Sequence, residues 1–175
     1  RPMIHHRAPE FDKLFAEVRE DLKWLFQTRN DVLILASSGT GGMEGSVSNF
    51  LSPGDKALTI NGGKFGERWT KLCKTFGAQV TELKVEWGRA VDPQAVADAL
   101  KKDPSIKAVY VQASETSTAV AHDVKALADI VKGYEETILV VDAITALGGL
   151  DLKTDACGLD GVITNKPSQM VGLRD

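Results

Sequence analysis

The chain has 175 residues, 43% hydrophobic and 26% charged, the composition of a single soluble-type domain with a real core. A formal net charge of -3, with Lys and Arg scattered among Asp and Glu, excludes the basic surface of a general nucleic-acid binder. Apolar runs such as residues 137–141 are strand-sized and far short of a membrane span, so no membrane partner is expected. The N-terminal Arg1-Pro2-Met3-Ile4-His5-His6-Arg7 lacks the apolar core of a signal peptide, and Cys73 and Cys157 are too isolated to suggest a disulfide framework. Reduced cysteines and a cytoplasmic location are the expectation.

In chain order, the spacing predicts a helix over residues 9–27, where Phe11, Leu14, Phe15, Val18, Leu22 and Leu25 share one face and Pro9 suits the first turn. Residues 31–36 then look like a strand, followed by a Gly-rich turn and a helix through about residue 51. A strand over 56–60 leads to a helix over 65–76, and a strand over 79–85 to a helix over 93–101. Strands over 106–112 and 138–141 bracket a helix over 124–132, and a short strand over 161–164 closes the series. Such alternation predicts an α/β fold: one domain over residues 1–175, built on a mostly parallel sheet with helices on both faces. In such sheets ligands gather at the carboxyl ends of the strands.

Two features at those ends carry chemistry. Ser37-Ser38-Gly39-Thr40-Gly41-Gly42-Met43-Glu44 joins the first predicted strand to a helix. Free N–H groups at a helix start favour an anion, and the Ser38 and Thr40 hydroxyls suit a phosphate. It is neither a Walker A loop nor a dinucleotide fingerprint, and a capped strand-to-helix turn is the alternative. Asp142 ends the apolar run Ile138-Leu139-Val140-Val141. A carboxylate there needs a cationic partner, and a protonated pyridine nitrogen is one; a helix cap or a metal ligand are the others. No cluster of His, Cys and carboxylates has metal-ligand spacing, so no metal is expected.

Several segments together resemble the class V (alanine–glyoxylate and serine–pyruvate type) pyridoxal-phosphate aminotransferases. Ser38-Gly39-Thr40-Gly41-Gly42-Met43-Glu44 is similar to their phosphate loop, and Leu51-Ser52-Pro53-Gly54-Asp55-Lys56 to the turn after it. Asn61-Gly62-Gly63-Lys64-Phe65-Gly66-Glu67-Arg68 resembles the segment that carries the stacking ring. Glu115-Thr116-Ser117-Thr118, and Val141-Asp142-Ala143 with Leu147-Gly148-Gly149, resemble the remaining cofactor segments. The resemblance runs in order over residues 1–164 and implies an incomplete fold type I large domain that binds pyridoxal phosphate. It also implies a homodimer that moves an amino group from a small amino acid to a 2-oxo acid such as glyoxylate or pyruvate.

Residue by residue, the resemblance implies Ser38, Gly39, Thr40 and Gly41 at the phosphate and Phe65 on the ring face. It places Thr116 at the phenolic oxygen and Asp142 at the ring nitrogen. Without it, Phe65 is a core ring opening a helix and Thr116 a loop hydroxyl. Trp69 and Trp87 are assigned to packing, His122 to the surface, and His5 and His6 to a solvated loop.

The resemblance then stops. The family has Gly-Ser-Gln-Lys after its next strand, and that Lys carries the cofactor covalently and moves the substrate proton. Here Thr164 is followed by Asn165-Lys166-Pro167-Ser168-Gln169-Met170, and ungapped alignment from Asp142 puts Ser168 in the lysine's place. Serine forms no imine. Lys166 is the alternative amine, with Pro167 beside it redirecting the backbone. Residues 165–175 depart from the family, the small C-terminal domain is expected to be absent, and little or no transaminase activity is expected of the 175-residue chain. A catalytically inactive domain that binds the cofactor at most is the competing reading.

Overall fold

The computed structural model describes residues 3–165. Helix α1 (Pro9–Phe26) opens the chain with a proline in its first turn and ends on Gln27 in the left-handed conformation. After an extended segment come α2 (Gly39–Phe50), β1 (Lys56–Asn61), α3 (Lys64–Thr75), β2 (Gln79–Lys84), α4 (Pro93–Lys102) and β3 (Ile106–Gln112). A short hairpin of β4 (Ser114–Glu115) and β5 (Val120–Ala121) precedes α5 (Val124–Val131), β6 (Ile138–Asp142), α6 (Thr154–Cys157) and β7 (Gly161–Ile163). Asp92 and Asp123 cap α4 and α5 through their carboxylates, which accept from the N–H groups of Gln94 and Ala126.

The main sheet has the order β2-β1-β3-β6-β7, and every pair in it is parallel. Period-two alternation sorts its side chains into two cores. Val109, Val111, Leu139 and Val141 join Val96, Leu100 and Leu127 of α4 and α5 on one face. Ala108, Tyr110 and Val140 join Met43, Val47, Trp69 and Cys73 of α2 and α3 on the other. Helices thus cover both faces, as the alternating pattern predicts. Burial pushes the Cys73 thiol up to about 12, and both Cys73 and Cys157 are free. Among the described residues no helix is long and apolar enough to cross a membrane.

The chain leaves β1 across α3 to β2 on one side, then returns across α4 to β3 on the other side of β1. The crossover leaving β1 across α3 and the one leaving β3 across α5 run in opposite directions on opposite faces, which makes the carboxyl ends of β1 and β3 the switch point where ligands of such sheets bind.

Two expectations need correction. Residues 31–36 form no strand. Their apolar character suits one, but a strand exists only where its N–H and C=O groups find a ladder, and no described strand lies beside them. Leu33 is 82% exposed, and Ile34 and Leu35 are exposed as well. The Gly-rich turn therefore follows an unpaired extended segment rather than a strand of the sheet. His122 is buried at 6% exposure rather than at the surface, with its Nδ1 accepting from the Val91 N–H at 3.0 Å. That bond and the apolar side chains around the end of β5 draw the ring inward, and burial lowers its pKa against the opposing charge of Glu115. Trp69 is fully buried against Tyr110, ring centroids 4.7 Å apart, whereas Trp87 is exposed.

The β4–β5 turn holds Ala119 at φ 55, a conformation that costs a residue with a Cβ about 1–2 kcal/mol. Replacing Ala119 with Gly is expected to raise unfolding free energy by about 1 kcal/mol, after allowing for the greater freedom of glycine in the unfolded chain. Urea titration checks this, and an unchanged or lower midpoint would contradict it.

Candidate functional site

The first turn of α2 supplies an anion-receptive end. Ser38 is its N-cap, and its hydroxyl accepts from the Gly41 N–H at 3.4 Å. The N–H groups of Gly39 and Thr40 have no acceptor among the described residues, so both remain available to an outside oxygen. Gly39 is buried, and a Cβ there would collide with the side chain of Ile144, two residues past Asp142. With no side chain at Gly39, the helix start lies close to Ile144 just past β6 without displacing the end of that side chain.

Asp142 is the last residue of β6, 5% exposed, with its Oδ1 accepting from the Ile144 N–H at 2.9 Å. No described residue forms an ion pair with it. Burial raises its pKa from 3.8 to about 6; the Ile144 hydrogen bond and the charge of Arg68 pull the other way, and the charge of Glu115 adds to the rise. The Ile144 hydrogen bond replaces only part of the solvation lost in folding, which leaves a carboxylate that would be relieved by an incoming cation.

Phe65 is half-buried in the first turn of α3, and the Arg68 guanidinium sits 4.9 Å from its ring centroid. Positions 65 and 68 share a helix face. Arg68 also donates to the Thr40 hydroxyl at 2.8 Å, so one side chain spans from the Phe65 ring to the start of α2. Thr116 is exposed in the turn after β4, its hydroxyl 3.1 Å from that of Thr145. All seven predicted positions therefore lie around one end of the sheet: Ser38 to Gly41 at the start of α2, Phe65 after β1, Thr116 after β3 and Asp142 at the end of β6. Ser168 and Lys166 lie outside the described residues.

Three residues with a bearing on the site were not singled out from the sequence. Arg68 follows Phe65 at helical spacing, a signal that was available. Glu115 is fully buried and bonded to the start of α3 across the crevice, a contact with no local pattern. Gln112 is paired in register with Asp142, and neither end of its buried amide has a hydrogen-bond partner among the described residues. Among the described residues no group of three or more His, Cys, Asp or Glu is placed to hold a metal ion.

Comparison with known proteins gives a consistent picture. The family model "Aminotransferase class-V" matches residues 1–164. The soluble hydrogenase 42 kDa subunit of Anabaena cylindrica is 46% identical over 161 residues, covering 91% of this chain and 42% of that protein. The serine–glyoxylate aminotransferase of Hyphomicrobium methylovorum is 37% identical, over 91% of this chain and 40% of its own. Among solved structures, the ureidoglycine–glyoxylate aminotransferase of Bacillus subtilis superposes with a TM-score of 0.89 at 30% identity, covering 94% of this chain and 42% of the other. The chain thus spans about two-fifths of the length of the curated relatives it matches.

The raised pKa of Asp142 has a consequence for stability. Its folded value lies above its unfolded one, so the folded state holds the extra proton between about pH 4 and pH 6. Stability contributed at this position is therefore lost as pH rises through that window, and the full penalty stands above it. Asp142→Asn, which keeps the acceptor for Ile144, is expected to be more stable than the parent at pH 7 by at most about 3 kcal/mol. The gap should close as pH falls to about 4. Urea unfolding of the ligand-free proteins across this range checks the sign, and a variant less stable at neutral pH would refute it.

Proposed function

The chain belongs to the class-V aminotransferase family, and on that footing we propose that it forms the phosphate- and ring-binding part of a pyridoxal-phosphate site. The observation that carries this reading is Asp142: a buried carboxylate without an ion-pair partner among the described residues, at the same sheet end as two N–H groups of α2 that have no acceptor among those residues. A phosphate-bearing cationic ring supplies what both lack, so the residues present fit the group. The Gly39 and Thr40 N–H groups, with the Ser38 and Thr40 hydroxyls and Gly41, hold the phosphate. Phe65 covers the ring face, Thr116 donates to the phenolic oxygen, and Asp142 keeps the ring nitrogen protonated. Bound pyridoxal phosphate supplies an electron sink and a carbon that carries the amino group.

The reaction class is transfer of an amino group from a small amino acid, of the alanine or serine type, to a 2-oxo acid such as glyoxylate or pyruvate. The names of the serine–glyoxylate, aspartate–glyoxylate and alanine–glyoxylate relatives support it. Ser168 in the lysine's place supports a narrower statement for the 175-residue chain: it holds the cofactor without a covalent bond and turns over little. Exposed Leu14, Phe15 and Val18 on α1 support a homodimer.

A titration with pyridoxal phosphate tests the reading. Saturable binding is expected, with no lysine labelled after borohydride reduction and peptide mapping, and Asp142→Ala should weaken binding by about tenfold or more. Failure to bind overturns the reading as a whole. Label on Lys166, or robust turnover of alanine or serine with glyoxylate by this chain, overturns the non-covalent part alone.

A further inference from the structure

Glu115 is fully buried, yet its carboxylate has four donors. Oε2 accepts from the N–H groups of Phe65 at 3.1 Å and Gly66 at 3.0 Å. Oε1 accepts from the N–H of Ser117 at 3.1 Å and its hydroxyl at 2.6 Å. The Ser117 hydroxyl in turn accepts from the Lys64 N–H at 2.9 Å. The first three N–H groups of α3, which no helix satisfies internally, are all taken by the turn that follows β3. The approach is close: a Cβ on Gly63 would lie 2.5 Å from the Glu115 side chain and from the Ser117 hydroxyl. One carboxylate thus ties the element carrying Phe65 to the turn carrying Thr116, across the crevice at the ends of β1 and β3.

Resting on the cofactor-site reading above, we infer that Glu115 is a positioning residue for the ring: by bonding α3 to the 115–117 turn it fixes the Phe65 ring and the Thr116 hydroxyl at the separation a bound pyridine needs. It touches neither phosphate nor ring. Helix capping alone would be met by any acceptor at the start of α3, such as the Ser, Thr or Asp that commonly provides it. A carboxylate brought from fifty residues away, split between two elements, constrains their separation as well. Among the described residues no bond of Glu115 reaches α2, which meets α3 through Arg68 and the Thr40 hydroxyl instead, so loss of Glu115 is expected to weaken the ring end more than the phosphate end.

The test compares two ligands, pyridoxamine phosphate and inorganic phosphate, on the parent chain and on Glu115→Gln and Glu115→Ala. Expected for Glu115→Ala is loss of the induced circular dichroism of bound pyridoxamine phosphate and an affinity about tenfold weaker, with inorganic phosphate affinity changed by less than about twofold. Glu115→Gln, which keeps an acceptor for Phe65 and Gly66, is expected to recover part of the dichroism and the affinity. Should the Ala variant fail to fold, the ratio of the two affinities in the Gln variant decides, and an unchanged ratio overturns the inference. Equal weakening of both ligands also overturns it, because Glu115 would then support the fold at large. A parent chain that binds neither ligand refutes the cofactor-site reading and this inference with it; a parent that binds while the variants match it refutes the inference alone.

Discussion

A parallel sheet covered on both faces leaves its polar chemistry at the strand ends. Strand β3 is nearly all buried, and so is β6 beyond its first residue, because α2 and α3 close one side and α4 and α5 the other. The backbone order then selects which end matters. The crossovers leaving β1 and β3 run in opposite directions, and Phe65, Thr116 and the neighbouring Asp142 follow or end the strands at that switch point. The other candidate segment, the start of α2, lies close against Ile144 at Gly39, where a Cβ would require the end of the Ile144 side chain to move. Packing of the sheet comes first, and the site is what that packing leaves open.

Two buried carboxylates meet the cost of desolvation in opposite ways. Glu115 gathers four donors, two from each side of the crevice, and becomes part of the framework. Among the described residues Asp142 has one backbone donor and no ion pair, and burial raises its pKa to about 6. In a core selected for stability alone, the second arrangement would be replaced by an apolar residue. Retaining it makes sense where a ligand supplies the missing charge, so the stability forgone in the free chain returns as binding energy.

Much of this was legible because the relevant forces are local. Apolar spacing fixes α1, α3, α4 and α5 to within a residue or two, and β3 was bounded by its own run from Ile106 to Gln112. Asp142 and the Gly-rich turn could be read because an acid after an apolar run and free N–H groups before a helix have physical meanings of their own. The failures are non-local. Residues 31–36 carry strand-like side chains, but pairing depends on what lies alongside, and nothing described does. His122 looked like a surface residue because its partner, the Val91 N–H, is thirty-one positions away. The β4–β5 hairpin is two residues long on each side, too short for any period to register. The Glu115 contact spans forty-nine and fifty positions, and only the completed fold brings it about.

Helix α3 is where these constraints converge. Its first turn is held by Glu115 and Ser117, its Phe65 lies half-buried in that turn, and its Arg68 bridges that ring to the Thr40 hydroxyl on α2 while its charge pulls the pKa of Asp142 down. The Thr40 hydroxyl that accepts from Arg68 still has its own O–H to donate to another acceptor, and any shift of Arg68 changes both the face of Phe65 and the field at Asp142. Groups that share a partner in this way do not contribute independently. The start of α2 and the first turns of α3 are therefore linked through one guanidinium, whereas Glu115 holds the start of α3 to the 115–117 turn by a separate set of bonds.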